Sequence, residues 1–269
     1  MKIIKTYKQL VEIENLHKKF KNILKSFLIN NILSRKFNEE KEYIIYPFWH
    51  HVFDDEVKNF KSQINFLKNY GDFISYDDSI KILNQGLKPK EKYFCLSFDD
   101  GFKNIYQNVI DIFLKDKIPC MFFIPTSFID NSRNDSGEIF FNSKNIEIEF
   151  LTWKNCEQIA SESIFDIGSH SINHSLISKL STDECIFEVR ESKNIIENKL
   201  KKICNHFAPP VGDYSINRDL KIIKDSKYKS LSTTIRGKMN HQNCDVFSLK
   251  RQHLLANWNT NYLKYFFSK

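Results

Sequence analysis

Two adjacent carboxylates end a hydrophobic run in the stretch "FCLSFDDGF", residues 94–102. The apolar residues predict a buried strand, and Asp99, Asp100 and Gly101 predict a turn directly after it. One interpretation is a solvated Asp-Asp-Gly turn at a strand end. The other is a catalytic carboxylate beside a metal-binding carboxylate, and the two acids alone do not decide between these interpretations.

Two histidines supply further candidate ligands. His170 and His174, in "GSHSINH", are four residues apart, which would place both imidazoles on one face of a helical turn, a common arrangement for a divalent metal. They could equally be surface or capping histidines. With one aspartate they would form a three-ligand site with open positions. The second aspartate would then take a proton from metal-bound water, whose pKa the metal lowers.

The order of the predicted elements indicates how these groups are positioned. From residue 43 onward, strand-like and helix-like segments alternate at least six times, which predicts parallel strands with helical crossovers. No glycine-rich nucleotide-binding motif is present, so a β/α barrel fits better than a dinucleotide-binding sheet. Strands are predicted over 43–49 and 92–98, and helices after the capping residues Thr152 and Ser181. Residues 127–150 are predicted to be irregular.

Catalytic groups of such barrels lie where strands end and loops begin. Three predicted strands are followed by ionisable groups, which are His50–His51, Asp99–Asp100 and the segment from His170 to His174. A fourth predicted strand is followed by the proline-containing sequence "APPVGDY" at 208–214. We expect these groups to converge on one rim of the barrel.

The first forty residues differ from the rest of the chain. Residues 3–36 are predicted to form one long basic amphipathic helix, because apolar residues recur three and four positions apart. The helix could pack on the main domain or on another subunit, or make a peripheral contact with an anionic membrane. The predicted domains are the N-terminal helix, residues 1–40, and the barrel, residues 41–269.

Composition excludes several classes of protein. The 269-residue chain has a formal net charge of +7, and 41% of its residues are hydrophobic, enough for a packed core. No nucleic-acid-binding motif accompanies the positive charge, so we expect no nucleic-acid partner. The six cysteines form no C-x-x-C pair and are predicted to be reduced core thiols. With no secretory signal or membrane-spanning run predicted, we expect a cytoplasmic protein, with membrane-peripheral attachment as the alternative.

Three motifs in this order carry a family resemblance. The segments "LSFDDGF", "IGSHSINH" and "FAPPVGDY" resemble the polysaccharide deacetylase family, the NodB-homology or carbohydrate esterase 4 group, over roughly residues 43–255. The resemblance implies an α/β fold, a distorted (β/α)7-type barrel, to which this chain adds its N-terminal amphipathic helix. It also implies hydrolysis of N-acetyl groups on sugars with a divalent metal, usually Zn²⁺.

The resemblance assigns roles residue by residue. Asp99 would be the general base, and Asp100, His170 and His174 would be the metal ligands. The backbone N–H of Val211, in the third motif, would help to stabilise the oxyanion.

The stretch "FWHHVFDDE" resembles a strand end in one branch of the family that supplies the general-acid histidine. His50 matches that histidine, with Trp49 at the usual tyrosine position and His51 as the alternative acid. A buried, hydrogen-bonded histidine without a catalytic role is the competing interpretation. An acid is needed because the leaving amine must be protonated.

The chain departs from the family in its third motif. Ala208 stands where many members have an arginine that braces the base, and Val211 replaces an aromatic residue. Arg251 is the candidate substitute for the arginine. The sugar could instead be contacted by Trp153, Tyr214 or residues 127–150.

The function predicted from the sequence is metal-dependent removal of an N-acetyl group from a sugar, with an N-acetylated sugar or glycan precursor as the partner. The missing arginine leaves a catalytically silent sugar-binding or scaffold barrel as one alternative. Deformylation of a lipid-linked N-formyl aminosugar is another alternative. The oligomeric state is left open.

Overall fold

The computed structural model describes residues 2–13, 28–29, 42–85 and 92–267. The strands are β1 Lys2–Ile3, β2 Tyr43–Ile45, β3 Pro47–Trp49, β4 Asp72–Phe73, β5 Lys92–Phe94, β6 Leu96–Phe98, β7 Cys120–Ile124, β8 Ile146–Glu147, β9 Phe165–Ser169, β10 His206–Phe207, β11 Ser230–Leu231 and β12 Gln252–His253. The α-helices are α1 Tyr7–Ile13, α2 Val57–Lys68, α3 Tyr76–Asn84, α4 Lys103–Asn108, α5 Ile110–Asp116, α6 Ser136–Phe141, α7 Trp153–Ser161, α8 Thr182–Leu200, α9 Asp219–Asp225 and α10 Thr260–Phe267.

Seven parallel strands form the main sheet, in the order β11-β10-β9-β7-β6-β3-β12. The sheet curls into a half-barrel, and β2, β5 and β4 form a second parallel sheet. The predicted α/β class and distorted (β/α)7-type barrel are therefore confirmed. Each of the predicted strands 43–49 and 92–98 is divided in two by one residue, Tyr46 and Cys95, where the chain passes between the two sheets.

Aromatic packing fixes the ends of the central strands. Phe98 of β6 stacks on Phe122 of β7 and on Trp49 of β3, at ring-centroid distances of 6.0 and 5.6 Å. The Trp49 indole Nε1 donates to Gln63 Oε1 at 2.9 Å, which satisfies its polar edge inside the core. Trp49 immediately precedes His50, and Phe98 immediately precedes Asp99. The packed core therefore holds these two strand ends rigidly.

The N-terminal segment differs from its prediction at the start. Lys2–Ile3 is a strand that pairs in parallel with β8, so a helix beginning at residue 3 is wrong, and α1 begins at Tyr7. Residues 14–27 and 30–36 of the predicted helix lie outside the described residues, and the domain boundary at residue 40 stays a prediction. No described helix is long and apolar enough to cross a membrane.

Residues 127–150 were expected to be irregular, and this expectation is wrong. They contain α6 and β8, and Phe128, Ile148 and Phe150 are buried in a small cluster with Ile4 of the N-terminal segment. Polar residues separate the aromatic ones along this stretch, so periodicity did not reveal the cluster. Pairing with β1, a contact distant in sequence, completes it.

Local signals in the sequence were more reliable. Thr152 and Ser181 each accept a hydrogen bond from the backbone N–H three residues later, which confirms both as helix caps. The capping box predicted for Ser181 and Glu184 is complete, and Thr152 forms a second box with Asn155 that was not predicted. All six cysteines are free, and all except Cys244 are buried, as expected for reduced core thiols.

Candidate metal centre and active site

The two adjacent aspartates lie at the end of β6 and face different partners. Asp99 continues the strand ladder, and its N–H donates to the Trp49 carbonyl at 2.9 Å. Asp100 and Gly101 then adopt φ values of 72° and 67°, in the left-handed region that favours glycine. A Cβ on Gly101 would come within 3.1 Å of Ile124 Cγ2, so glycine allows this turn. Both carboxylates are buried.

Asp100, His170 and His174 form one cluster. The Asp100 Oδ1 atom lies 3.3 Å from Nε2 of both histidines, and one ligand atom from each residue falls within 4.8 Å of the others. His170 Nδ1 lies 2.6 Å from the Ala208 carbonyl, to which it donates, so Nε2 is the nitrogen directed at Asp100. Asp100 Oδ1 is buried without a hydrogen bond of normal geometry.

The two histidines do not lie on a helical turn, and that part of the prediction is wrong. The segment after β9 is irregular, and Ser171 and His174 have φ values of 65° and 55°. The buried Glu188 of α8 accepts from the N–H groups of Ile172 and Asn173 at 2.8 and 2.9 Å, which holds the loop in place. Left-handed backbone conformations therefore bring the imidazoles together.

The electrostatics of the cluster favour the ionised form of Asp100. Burial alone would raise the pKa of Asp100, but the neighbouring His50, His170 and His174 hold it well below its usual range. Burial opposes the charged form of His170, yet its contact with Asp100 raises the pKa of this histidine above its ordinary value. An anionic carboxylate with an unbonded oxygen beside two imidazole nitrogens is a suitable donor set for a divalent ion.

Arg251 and Asp99 form a fully buried ion pair. Arg251 Nη1 donates to Oδ1 at 2.8 Å and Nη2 donates to Oδ2 at 2.7 Å, while Nε donates to the Thr233 carbonyl at 2.8 Å. The guanidinium also lies 4.0 Å from the Phe48 ring centroid. Burial would lower the pKa of Arg251, but Asp99 raises it above its ordinary value. Arg251, which sequence analysis selected as the substitute for the missing arginine, therefore contacts Asp99.

His50 borders the cluster but is held mainly by ring packing. Its ring centroid lies 5.5 Å from that of Phe48 and 4.6 Å from that of His253. Burial lowers the pKa of His50, against the opposing effect of Asp100. His253 was missed by sequence analysis, although it follows Arg251 by two residues in β12. Burial, reinforced by His50, lowers the pKa of His253 well below its ordinary value.

His51, the alternative acid, has a different environment. Its Nδ1 lies 3.0 Å from Oε2 of the buried Glu56, which also accepts from the Phe53 N–H at 2.9 Å. Sequence analysis missed Glu56, whose spacing of five residues from His51 corresponds to no regular element. The carboxylate fixes the orientation of the His51 ring.

Val211 has an unusual backbone for a β-branched residue. Its φ is 59°, its side chain is 68% exposed, and it follows Pro210 in a short 3₁₀ turn. A β-branched residue in this region carries strain, which is often found at functional positions. Within the described part of the chain, no acceptor is found for the Val211 N–H.

All the candidate site residues except Arg251 line one cavity of about 560 Å³. Its polar lining consists of His50, His51, Asp99, Asp100, His170, His174, Thr234 and His253. Tyr7, Leu10, Phe48, Phe102, Ile139, Phe140, Phe141, Val211 and Leu255 form its apolar lining. Of the three candidates for contacting a sugar, residues 127–150 contribute through α6, whereas the described lining includes neither Trp153 nor Tyr214.

Comparison with known proteins now identifies the family. The family described as "Polysaccharide deacetylase" matches residues 86–231, just over half of the chain. The chain belongs to the polysaccharide deacetylase family. The match includes the Asp99–Asp100 pair, both cluster histidines and Val211, whereas His50 and Arg251 lie outside it.

Curated relatives are similar over part of their length. The poly-β-1,6-N-acetyl-D-glucosamine N-deacetylase of Staphylococcus epidermidis is 25% identical over 186 residues, covering 65% of this chain and 59% of the relative. The protein of the same name from Staphylococcus aureus is 25% identical over 173 residues, covering 58% of this chain and 56% of the relative. The chain thus spans somewhat more than half the length of these relatives.

Solved structures support the same fold. The Streptococcus pyogenes deacetylase PplD, solved with acetate, has a TM-score of 0.68 at 22% identity and covers 84% of this chain and 98% of its own. IcaB from Ammonifex degensii has a TM-score of 0.70 at 16% identity, with coverages of 86% and 99%. At these identities the likeness shows the architecture of the barrel.

Proposed function

We propose that this chain is a metal-dependent hydrolase that removes an N-acetyl group from an aminosugar of a glycan or glycan precursor. One observation carries the proposal. A carboxylate fixed by a buried arginine, Asp99, adjoins in sequence a second carboxylate, Asp100, that contacts two imidazoles in the same cavity. Family membership and the names of the relatives agree with this chemistry.

Asp100, His170 and His174 are the residues that would hold the metal. A divalent ion there, Zn²⁺ by preference for imidazole and carboxylate ligands, would polarise the acyl carbonyl and lower the pKa of water. The orphaned Asp100 oxygen and the donor set support this assignment.

Asp99 would act as the general base. Arg251 occupies one direction on each carboxylate oxygen, and a carboxylate oxygen can accept more than one hydrogen bond. Asp99 can therefore take a proton from the attacking water while the arginine holds its plane fixed. The bidentate pairing prevents rotation of the carboxylate, so its orientation is set before substrate binds.

His50 and Val211 would act on the two sides of the scissile amide. His50 lines the same cavity as the cluster, and as an acid it would give a proton to the departing sugar amine. The Val211 N–H, which has no acceptor among the described residues, would donate to the oxygen of the tetrahedral species.

The inactive-barrel alternative rested on the missing arginine at Ala208. In the structure, Arg251 pairs with Asp99 from the position immediately before β12, so the substitution at Ala208 no longer argues against activity. The Ala208 carbonyl instead accepts from His170.

The proposed substrate class is an N-acetylated glucosamine glycan or its precursor, which the names of the relatives support. A panel of N-acetylated and N-formylated aminosugars, assayed for released acetate and formate with Zn²⁺ present, tests this proposal. We expect acetate release from the wild type. Formate as the preferred product would favour the deformylase, and no acyl release at any metal loading would favour the inactive barrel.

A further inference from the structure

The cavity has two unlike halves. Its inner half carries the imidazoles and carboxylates of the candidate site. Its outer wall is contributed by α1 and α6, whose cavity-lining residues are Tyr7, Leu10, Ile139, Phe140 and Phe141. The acyl group to be hydrolysed must reach the inner half, so this wall meets another part of the substrate.

The wall is held in place by specific contacts. Strand β1 pairs with β8, and the Ile4 N–H donates to the Glu147 carbonyl at 2.9 Å. Asp55 accepts from the N–H groups of Tyr7 and Lys8 at 2.8 and 3.1 Å, which satisfies the first turn of α1. These bonds fix α1 next to the loop that carries His50 and His51, so the wall is a built part of the cavity.

The aromatic rings of α6 already pack against protein groups. The Phe140 ring lies 4.5 Å from the His174 ring, and Phe141 stacks on Phe102 at 6.1 Å with an interplanar angle of 24°. A sugar usually rests its C–H face on an open aromatic ring. Here both rings are engaged by neighbouring side chains, and the wall also offers aliphatic groups to a ligand.

Leu10 and Ile139 supply those aliphatic groups, and Ile139 is 36% exposed. A sugar hydroxyl turned toward them would lose hydrogen bonds to water and gain none. An apolar group would instead be stabilised by about 25 cal/mol for each Å² that it removes from water. The two side chains therefore select against a polar substituent and in favour of an apolar one.

We propose that the site takes an N-acetylated aminosugar whose aglycone is apolar, with that aglycone lying against Leu10 and Ile139. This inference rests on the proposed function, because it assumes that the acetyl group enters the inner half of the cavity. Leu10 and Ile139 would then determine specificity for the aglycone, and the catalytic groups would keep the roles proposed above.

The test compares the octyl and methyl glycosides of N-acetylglucosamine, with the octyl glycoside kept below its micelle-forming concentration. We expect kcat/KM for acetate release to be about tenfold higher for the octyl glycoside, mainly through a lower KM. Leu10→Asn and Ile139→Asn should each reduce this preference severalfold. Lys8→Ala, an exposed change on the same helix, should keep it.

Calorimetric binding of both glycosides to the Asp99→Asn variant gives a readout independent of turnover. Equal binding of the two glycosides, or a full octyl preference retained in Leu10→Asn, would overturn the inference. Failure of the proposed function has a different signature, since neither glycoside would release acetate while the octyl glycoside would still bind more tightly.

Discussion

Arg251 holds both oxygens of Asp99, at 2.8 and 2.7 Å, although it lies 152 residues farther along the chain, immediately before β12. Both side chains are almost completely buried. The guanidinium also bonds to the Thr233 carbonyl and packs on Phe48, so its position is determined from three sides. The Asp99 carboxylate therefore faces Arg251, whereas the carboxylate of Asp100, the next residue, faces the two histidines.

Removal of Arg251 should destabilise the fold strongly. Arg251→Ala leaves Asp99 buried without its partner, and we expect the free energy of unfolding to fall by about 3–5 kcal/mol. Denaturant unfolding followed by tryptophan fluorescence measures this loss. A cost below about 1 kcal/mol would show that the pair is not as buried as the structure indicates.

The double variant Asp99→Leu with Arg251→Met separates stability from catalysis. Apolar side chains of similar size should recover most of the stability lost in Arg251→Ala, because no unpaired charge remains. Acetate release should stay absent, since the proposed base is missing. Restored activity in a well-folded double variant would contradict the role of Asp99.

Metal binding should stabilise the chain through the cluster. Zn²⁺ at about 100 times its dissociation constant is expected to add about 2.7 kcal/mol to the free energy of unfolding. The gain should be lost in His170→Ala and kept in His241→Ala, which removes an exposed histidine outside the cavity. Thermal unfolding with and without metal, together with elemental analysis, checks this. An equal gain in both variants would place the metal elsewhere.

The strained backbone at Val211 predicts a stabilising substitution. Val211→Gly removes the backbone strain of a β-branched residue at a φ of 59°. It loses little buried apolar surface, because Val211 is mostly exposed. We expect the free energy of unfolding to rise by about 1 kcal/mol. Val211→Ala should give less than the glycine variant, since alanine remains unfavourable at this φ. A destabilised glycine variant would argue against strain at this position.

Asp77 and His206 predict an acid-dependent contribution to stability. The contact with His206, whose Nε2 lies 3.3 Å from Oδ1, lowers the pKa of Asp77 from 3.8 to about 2. Because the folded pKa is the lower one, the contribution is fully present above about pH 4 and is lost as the pH falls through 2. Allowing for solvent screening of this half-exposed group, Asp77→Asn should cost about 1 kcal/mol at pH 7.

Unfolding of the wild type and Asp77→Asn between pH 7 and pH 2.5 checks that prediction. The difference in unfolding free energy between the two proteins should be constant above pH 4 and shrink below it. A difference that grows as the pH falls would have the wrong sign for a carboxylate with a lowered pKa.

The sequence predicted features that depend on local chemistry. The helix caps at Thr152 and Ser181, the alternation of strands and helices, and the grouping of ionisable residues at strand ends all follow from short-range patterns. They carry information because helix caps and parallel strands impose fixed positions on particular residue types. The family resemblance then selected Asp99 and Asp100 from many acidic residues.

Features that depend on distant contacts could not be predicted. The left-handed conformations at Ser171 and His174 replace the expected helical turn, and their stability depends on Glu188 of another helix. Residues of α1 and α6 pack against the same small cluster, and β1 pairs there with β8, which is about 140 residues away in sequence. Neither contact leaves a periodic signal in the sequence, so the outer wall of the cavity became visible only in the structure.

The central claim is that Asp99 is the base of a sugar N-deacetylase, and one measurement tests it most directly. Acetate release from N-acetylglucosamine oligomers is compared between the zinc-loaded wild type and zinc-loaded Asp99→Asn, with folding of both checked by circular dichroism. We expect the wild type to release acetate and the variant to be slower by a factor of about 10²–10⁴. Acetate release from Asp99→Asn at the wild-type rate would contradict the role of Asp99 as the base.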